Sequence, residues 1–377
     1  MKGPTTLREA ELITTAQRLA EVSHLILQSS AVAVDTEFFW ERTFYPILGM
    51  VQLATADGAC WLVDTVKITD ISALAPVLEA DSVIKVLHDA PQDLGILARA
   101  ACAAPRRIFD TRVAAGFAGF DSTCSLQSLL RQTLNVEISK DETRSNWLRR
   151  PLSDSQLRYA ADDVLHLLPL REHLIRACAS DTVRGWLDEE CTLLDSPEVY
   201  QERDPRMMYL RVKGSSCLSA RQLAVLREIA EWREVEARQR DWPRGHVLPD
   251  QLLIELAQLA PSSSEALMNL PEFPRRMPGE VIAVFLAAIE RGSALPDAEC
   301  PLPEGTSFAT RQSLKSRTKR LLDQIRSKCE NHGIDPALAA SRADAESFIQ
   351  RSSSGSDTPH RLAQGWRKIM VDGFDPA

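Results

Sequence analysis

The sequence predicts an α/β domain over roughly the first 200 residues, followed by an all-α remainder. Runs of β-branched and apolar residues at 31–37, 47–55, 60–64 and 83–88, with a shorter one at 106–111, read as strands. Stretches with apolar residues at helical spacing lie among them. Beyond about residue 200 no strand pattern is present, and prolines at 243, 249, 261, 271, 274 and 278 cut the chain into helical lengths. With 377 residues there is room for two or three domains, each burying its own core.

The first element is a covering helix over 7–29, carried by Leu7, Ile13, Leu19, Val22, Leu25 and Ile26. It leads into Ala31-Val32-Ala33-Val34-Asp35-Thr36-Glu37, a strand of small and branched apolar residues that ends in two carboxylates. Side chains alternate along a strand, so Asp35 and Glu37 share a face. Like charges so placed repel unless a cation lies between them. Taken alone, the stretch reads equally as a strand emerging into solvent or as part of a metal site. The aromatic group Phe38, Phe39 and Trp40 reads first as core packing, with base stacking the alternative.

Ala56-Asp57-Gly58 turns the next two strands into a meander, and 71–80 makes a short helix. The strand at 83–88 ends in His88, and Pro91 suits the first position of a helix. Asp93 then falls in the first helical turn, where the dipole favours a carboxylate, and the strand-to-helix turn can bring it beside Asp35. A helix follows over 125–134. The polar, basic segment 141–151, with Arg144 and Trp147, reads as an exposed functional loop. Ser153 and Gln156 form a capping box, so another helix starts there. On it Tyr159 and Asp163 are four residues apart and face the same way, whereas Asp162 points elsewhere.

Pro197 and Pro205 bracket a linker, and four or five short helices over 219–291 follow, the first capped by Ser219 and Gln222. A second linker with Pro296, Pro301 and Pro303 precedes a last helical region. Within it, residues 311–328 hold seven bases against the single acid Asp323, which reads either as a solvated face or as a phosphate contact. Residues 352–356 read as a flexible loop.

The net charge of −8 argues against a uniformly basic nucleic-acid coat but leaves room for local basic patches. Eight cysteines are scattered without a C-x-x-C pair, so neither a zinc site nor a disulfide framework is expected. No basic-then-apolar leader is present, and no run reaches the ~18 apolar residues of a spanning helix. A cytoplasmic protein with reduced thiols and no membrane partner is expected.

The order of the acidic motifs is more specific than any one of them. Asp35-Thr36-Glu37, then His88 through Leu97 with Asp93, then Tyr159 through Asp163, with Ser145-Asn146-Trp147 before the last, resembles the DEDD 3′–5′ exonucleases of the tyrosine subclass. The resemblance covers roughly residues 10–195. It implies an RNase H-like domain, a mixed five-stranded sheet with flanking helices, over 1–200. Residues 211–292 resemble an HRDC domain, and 300–377 resemble a second one in position and helical character only.

The resemblance further implies two divalent metal ions, Mg²⁺ or Mn²⁺, held by Asp35, Glu37, Asp93 and Asp163, with Asp35 bridging both. Tyr159, whose ordinary pKa is near ~10, is a poor base at neutral pH and is expected to orient the attacking water. His88, Arg144 and Trp147 are candidate substrate contacts. The implied activity is hydrolysis from a 3′ end with release of nucleoside 5′-monophosphates. The implied partner is RNA with a single-stranded 3′ end, structured precursors such as tRNA being the leading target. A 3′–5′ exonuclease acting on DNA and a non-catalytic nucleic-acid binding protein are the alternatives; the presence of all five side chains argues against the second.

Overall fold

The computed structural model describes residues 10–274, 277–301, 308–354 and 360–375. Leu7, Pro303 and the Gly355-Ser356 part of the expected loop lie outside these residues. The chain divides into two compact units, one of residues 1–39, 48–201 and 308–377, the other of residues 40–47 and 202–307.

The first unit is built on a mixed sheet of β1 (Glu11–Ile13), β2 (Ala31–Phe39), β3 (Ile47–Thr55), β4 (Cys60–Asp64), β5 (Ile84–Leu87) and β6 (Ile108–Asp110). Their order is β1-β4-β3-β2-β5-β6. β3 and β4 are antiparallel, whereas β4 with β1, β2 with β5 and β5 with β6 are parallel. β2, which carries the two carboxylates, therefore lies near the middle of the sheet.

The sheet has six strands rather than the expected five, because the helix expected from Leu7 does not extend through residues 11–13. Glu11–Ile13 is extended and adds an edge to β4, with Ile13 fully buried. Helix α1 (Ala16–Ile26) starts only after Thr15, whose hydroxyl accepts from the Arg18 amide at 3.3 Å. Three residues are too few to show a period of two, so their apolar signal merged with that of the helix.

Alternation divides the strands between two cores. Val32, Val34, Val51, Leu53, Trp61 and Val63 face one side, where α1 and α2 (Pro91–Ala101) cover them through Leu19, Val22, Leu94 and Leu97. Ala33, Met50, Ala54 and Leu62 face the other. That side is covered by α3 (Thr111–Phe117), α4 (Leu126–Leu134), α5 (Asp154–Leu165), α6 (Leu167–Ala177) and α7 (Asp181–Leu193), through residues such as Ala160, Val164, Leu170 and Leu187. The expected capping box at Ser153 and Gln156 starts α5.

The second unit is helical. Its main elements are α8 (Ala220–Arg240), α9 (Asp250–Leu259) and α10 (Gly279–Ala294), packed around Leu226, Ile229, Leu252, Leu256 and Phe285. The capping box at Ser219 and Gln222 is present, but α8 runs 21 residues and is not one of a set of short helices. α8 and α10 approach closely at Gly292, where a Cβ would stand 2.5 Å from the Val225 Cα. Residues 40–47 join this unit through the Phe44 and Tyr45 amides, which donate to the Asp241 carbonyl (3.1 Å) and carboxylate (2.9 Å).

The C-terminal helices α11 (Phe308–Asn331), α12 (Arg342–Ser354) and α13 (Gly365–Val371) share the core of the first unit. This differs from the separate domain expected over 300–377. The Trp366 ring stacks on Trp186 of α7 (6.0 Å, 23°) and meets the edge of Phe117 of α3 (5.1 Å). Arg367 pairs with both oxygens of Glu190 at 2.6 and 2.7 Å, and the Trp366 Nε1 donates to the same carboxylate at 3.0 Å. Such an anchor is part of the core, so its removal is expected to destabilise the whole first unit. Trp366→Ala should lower its unfolding free energy by about 3–5 kcal/mol in denaturant titrations. Unchanged stability would contradict the shared core.

Candidate active site

Asp35 and Glu37 lie on the β2 face that α5 covers, as alternation requires. On α5, Asp163 comes one helical turn after Tyr159 and faces that strand end. Carboxylate oxygens of Asp35, Glu37 and Asp163 all lie within 4.8 Å of one another. Asp93 approaches from the opposite face, on the first turn of α2 after Pro91. Thr36, which alternation turns to that face, donates its hydroxyl to Asp93 Oδ1. Asp93 is thus beside the group but not within it.

The electrostatics follow from this crowding. Burial, then the charges of Asp93, Asp163 and Glu37, raise the Asp35 carboxyl well above the carboxylate range. Burial with Asp163 and Asp93 pushes Glu37 to about 9. Burial pushes Asp93 to about 7 against the opposing Thr36 hydrogen bond, and Asp163 to about 7 with the nearby Tyr159 hydroxyl opposing the rise. Among the described residues no Lys or Arg is ion-paired with these four. Hard oxygen donors, mutually repelling and without a cationic side chain, are the donor set that a divalent ion such as Mg²⁺ takes.

Burial and the Asp163 carboxylate raise the Tyr159 phenol above its ordinary value. Its hydroxyl lies 3.4 Å from Thr143 Oγ1. Trp147, expected as an exposed substrate contact, is instead 1 % exposed, its ring 5.9 Å from that of Tyr159. The polar residues around it made the segment look like surface; the indole itself packs inward. His88 is also engaged internally. The Thr111 hydroxyl donates to the Leu87 carbonyl at 3.0 Å, which leaves its oxygen to accept from His88 Nδ1 at 2.9 Å. Burial holds that imidazole below its ordinary pKa. Arg144 is exposed.

Asp110 is a supporting residue that the sequence reading missed. Fully paired and 2 % exposed, it caps α3 and accepts from the amides of Asp89 (3.0 Å), Ala90 (2.8 Å) and Arg112 (2.8 Å). It thereby fixes the turn that delivers Asp93, in which Asp89 adopts a left-handed φ of 65°. The signal available for it was an Asp-Thr pair at a strand-to-helix junction, an N-cap pattern.

These features define a 3′–5′ exonuclease of the DEDD type, a family that depends on divalent metal. A family model for "3′-5′ exonuclease" matches residues 10–178 and one for "HRDC domain" matches 222–289. Ribonuclease D from Desulfotalea psychrophila is 38 % identical over 98 % of both chains, and that from Pseudomonas paraeruginosa 37 % identical over 89 % of both. The crystal structure of Escherichia coli RNase D, described as an exoribonuclease involved in structured RNA processing, matches with a TM-score of 0.82. It is 28 % identical, covering 97 % of this chain and 96 % of that one. The chain belongs to the ribonuclease D family. No helix among the described residues is long and apolar enough to cross a membrane.

The raised carboxyls have a thermodynamic consequence. Ordinary carboxyl pKa values in an unfolded chain are near ~4, so at neutral pH the folded metal-free site holds protons that the unfolded chain does not. That stabilisation is present near pH 4 and is lost as pH rises through about 7 for Asp93 and Asp163 and about 9 for Glu37. A divalent cation replaces those protons. The rise in Tm caused by Mg²⁺ over EDTA is therefore expected to grow steadily from pH 6 to pH 9; an increment independent of pH would contradict the proposed charge balance.

Proposed function

We propose that this chain is a metal-dependent 3′–5′ exoribonuclease that trims single-stranded 3′ ends of structured RNA precursors, tRNA precursors foremost, and releases nucleoside 5′-monophosphates. The observation that carries the reading is the gathering of Asp35, Glu37 and Asp163 at one strand end, with Tyr159 one helical turn before Asp163 on α5. In this reading Asp35, Glu37 and Asp163 would hold two divalent ions, Mg²⁺ or Mn²⁺, with Asp93 as the supporting ligand. When bound, the ions supply charge neutralisation of the phosphate, activation of water and stabilisation of the departing 3′ oxygen.

The chain's own groups do the rest. Tyr159 remains a neutral phenol, because burial and Asp163 oppose its ionisation. It therefore orients the attacking water through its hydroxyl and does not serve as a strong base. Thr36 fixes the Asp93 carboxylate, and Asp110 fixes the turn before it.

RNA binding is supported by the exposed basic side chains Lys315, Lys319, Arg320 and Arg326 on α11. Lys328 of the same basic run instead donates to the Ile369 and Asp372 carbonyls at 2.8 and 2.7 Å, closing the helix against α13. Part of the basic run is thus structural, and in this reading the exposed Lys315 and Lys319 meet phosphates. Arg144, exposed in the loop before α5, is a further substrate contact in this reading.

The test compares matched end-labelled RNA and DNA with free 3′ ends, in Mg²⁺, Mn²⁺ and EDTA. The expected result is stepwise release of 5′-monophosphates from RNA, abolished by EDTA. Asp35→Asn should lower kcat by at least about a thousandfold while leaving RNA affinity intact. Strong preference for DNA would select the competing exonuclease reading, and unchanged turnover in Asp35→Asn would refute the metal role.

A further inference from the structure

The loop between α4 and α5 reaches Tyr159 twice, through the Trp147 ring and the Thr143 hydroxyl. What seats that loop is Arg150. Its Nε and Nη2 donate to the two carboxylate oxygens of Asp64 at 2.8 and 2.7 Å. Nη2 also donates to the Gly49 carbonyl at 2.9 Å, and Nη1 to the carbonyls of Trp147 at 2.7 Å and Arg149 at 2.9 Å. A guanidinium has five N–H donors, and each is used here. Asp64, 1 % exposed, closes β4 and also accepts from the Val66 amide at 3.1 Å.

The sheet is shaped to receive this loop. A Cβ on Gly49 would lie 2.7 Å from the Trp147 carbonyl oxygen, so β3 admits the loop backbone only where there is no side chain. The Trp147 Nε1 is buried with no hydrogen-bond partner among the described residues. Leaving an indole N–H unpaired is costly, and the indole is held instead where its ring meets Tyr159. A buried, bidentate ion pair is a poor source of net stability but a good device for fixing register.

We propose that Arg150, clamped by Asp64, is a positioning residue for hydrolysis: it seats the loop carrying Thr143 and Trp147 against Tyr159, and so fixes where the Tyr159 hydroxyl stands. This rests on the function proposed above and deepens it. Arg150 touches neither substrate nor the reacting atoms and acts only through Tyr159. Lysine cannot replace it, because one ammonium cannot span a carboxylate and three carbonyls at once.

The experiment measures kcat and KM on end-labelled RNA with Mg²⁺ for the full chain and for Arg150→Lys, Gly49→Ala, Tyr159→Phe and the Arg150→Lys/Tyr159→Phe double variant. Amide hydrogen exchange over residues 141–150 is followed in parallel. Arg150→Lys and Gly49→Ala attack the same seat from opposite sides. Each is expected to lower kcat by about tenfold to a hundredfold, with KM within about twofold, and to speed exchange in the loop. In the Tyr159→Phe background, Arg150→Lys should cost less than about twofold more, because the residue it serves is already lost. Full kcat in Arg150→Lys, unaltered loop exchange, or the same fold-loss with and without the Tyr159 hydroxyl would each overturn the proposal. No hydrolysis by the unmodified chain would overturn the parent reading; hydrolysis by it with full kcat in Arg150→Lys overturns the clamp alone.

Discussion

Carboxylates forced together at a partly buried strand end are the constraint on which the first unit is arranged. At about 4 Å, two unit charges repel by roughly 4 kcal/mol even at an effective dielectric constant of 20. Three carboxylates within 4.8 Å, with Asp93 adding its charge from beside them, cannot all ionise cheaply. Among the described residues no basic side chain pairs with these acids to relieve it. An apolar sheet and helices hold the acids in place, and in the proposed function a divalent cation would fill the electrostatic deficit.

The four acids reach the site by different routes, and this explains their unequal surroundings. Asp35 and Glu37 are placed by strand alternation and Asp163 by a helix across the same face, so these three meet directly. Asp93 comes from the other face and needs support of its own. Thr36 supplies a hydrogen bond to its carboxylate, and Asp110 secures the preceding turn by accepting from the Asp89 and Ala90 amides. Tyr159 is held in turn by Thr143 and the Trp147 ring. The proposed site is therefore a set of acids surrounded by neutral donors and rigid backbone, which resist repulsion without neutralising it.

Much of this was legible in the sequence where local geometry alone decides. A period of two puts Asp35 beside Glu37, a spacing of four puts Tyr159 beside Asp163, and capping boxes mark the starts of α5 and α8. What was not legible depended on contacts distant in sequence. Trp147 sits among charged residues, and only the sheet surface at Gly49 shows why it turns inward. His88 looked free because Thr111, 23 residues later, gives no local sign of binding it. The C-terminal helices looked like a domain of their own because Trp366 and Trp186, which stack on each other, are 180 positions apart in the sequence. The edge strand Glu11–Ile13 was too short to separate from the helix beside it.

In the proposed function the acids form a two-ion site with Asp35 shared between the ions. Anomalous diffraction from crystals grown with Mn²⁺ and a non-hydrolysed RNA 3′ end measures this directly. Two manganese peaks about 4 Å apart are expected, both contacted by Asp35, one also by Glu37 and Asp163 and the other on the Asp93 side. No manganese at the β2 strand end, or manganese bound without Asp35, would contradict it.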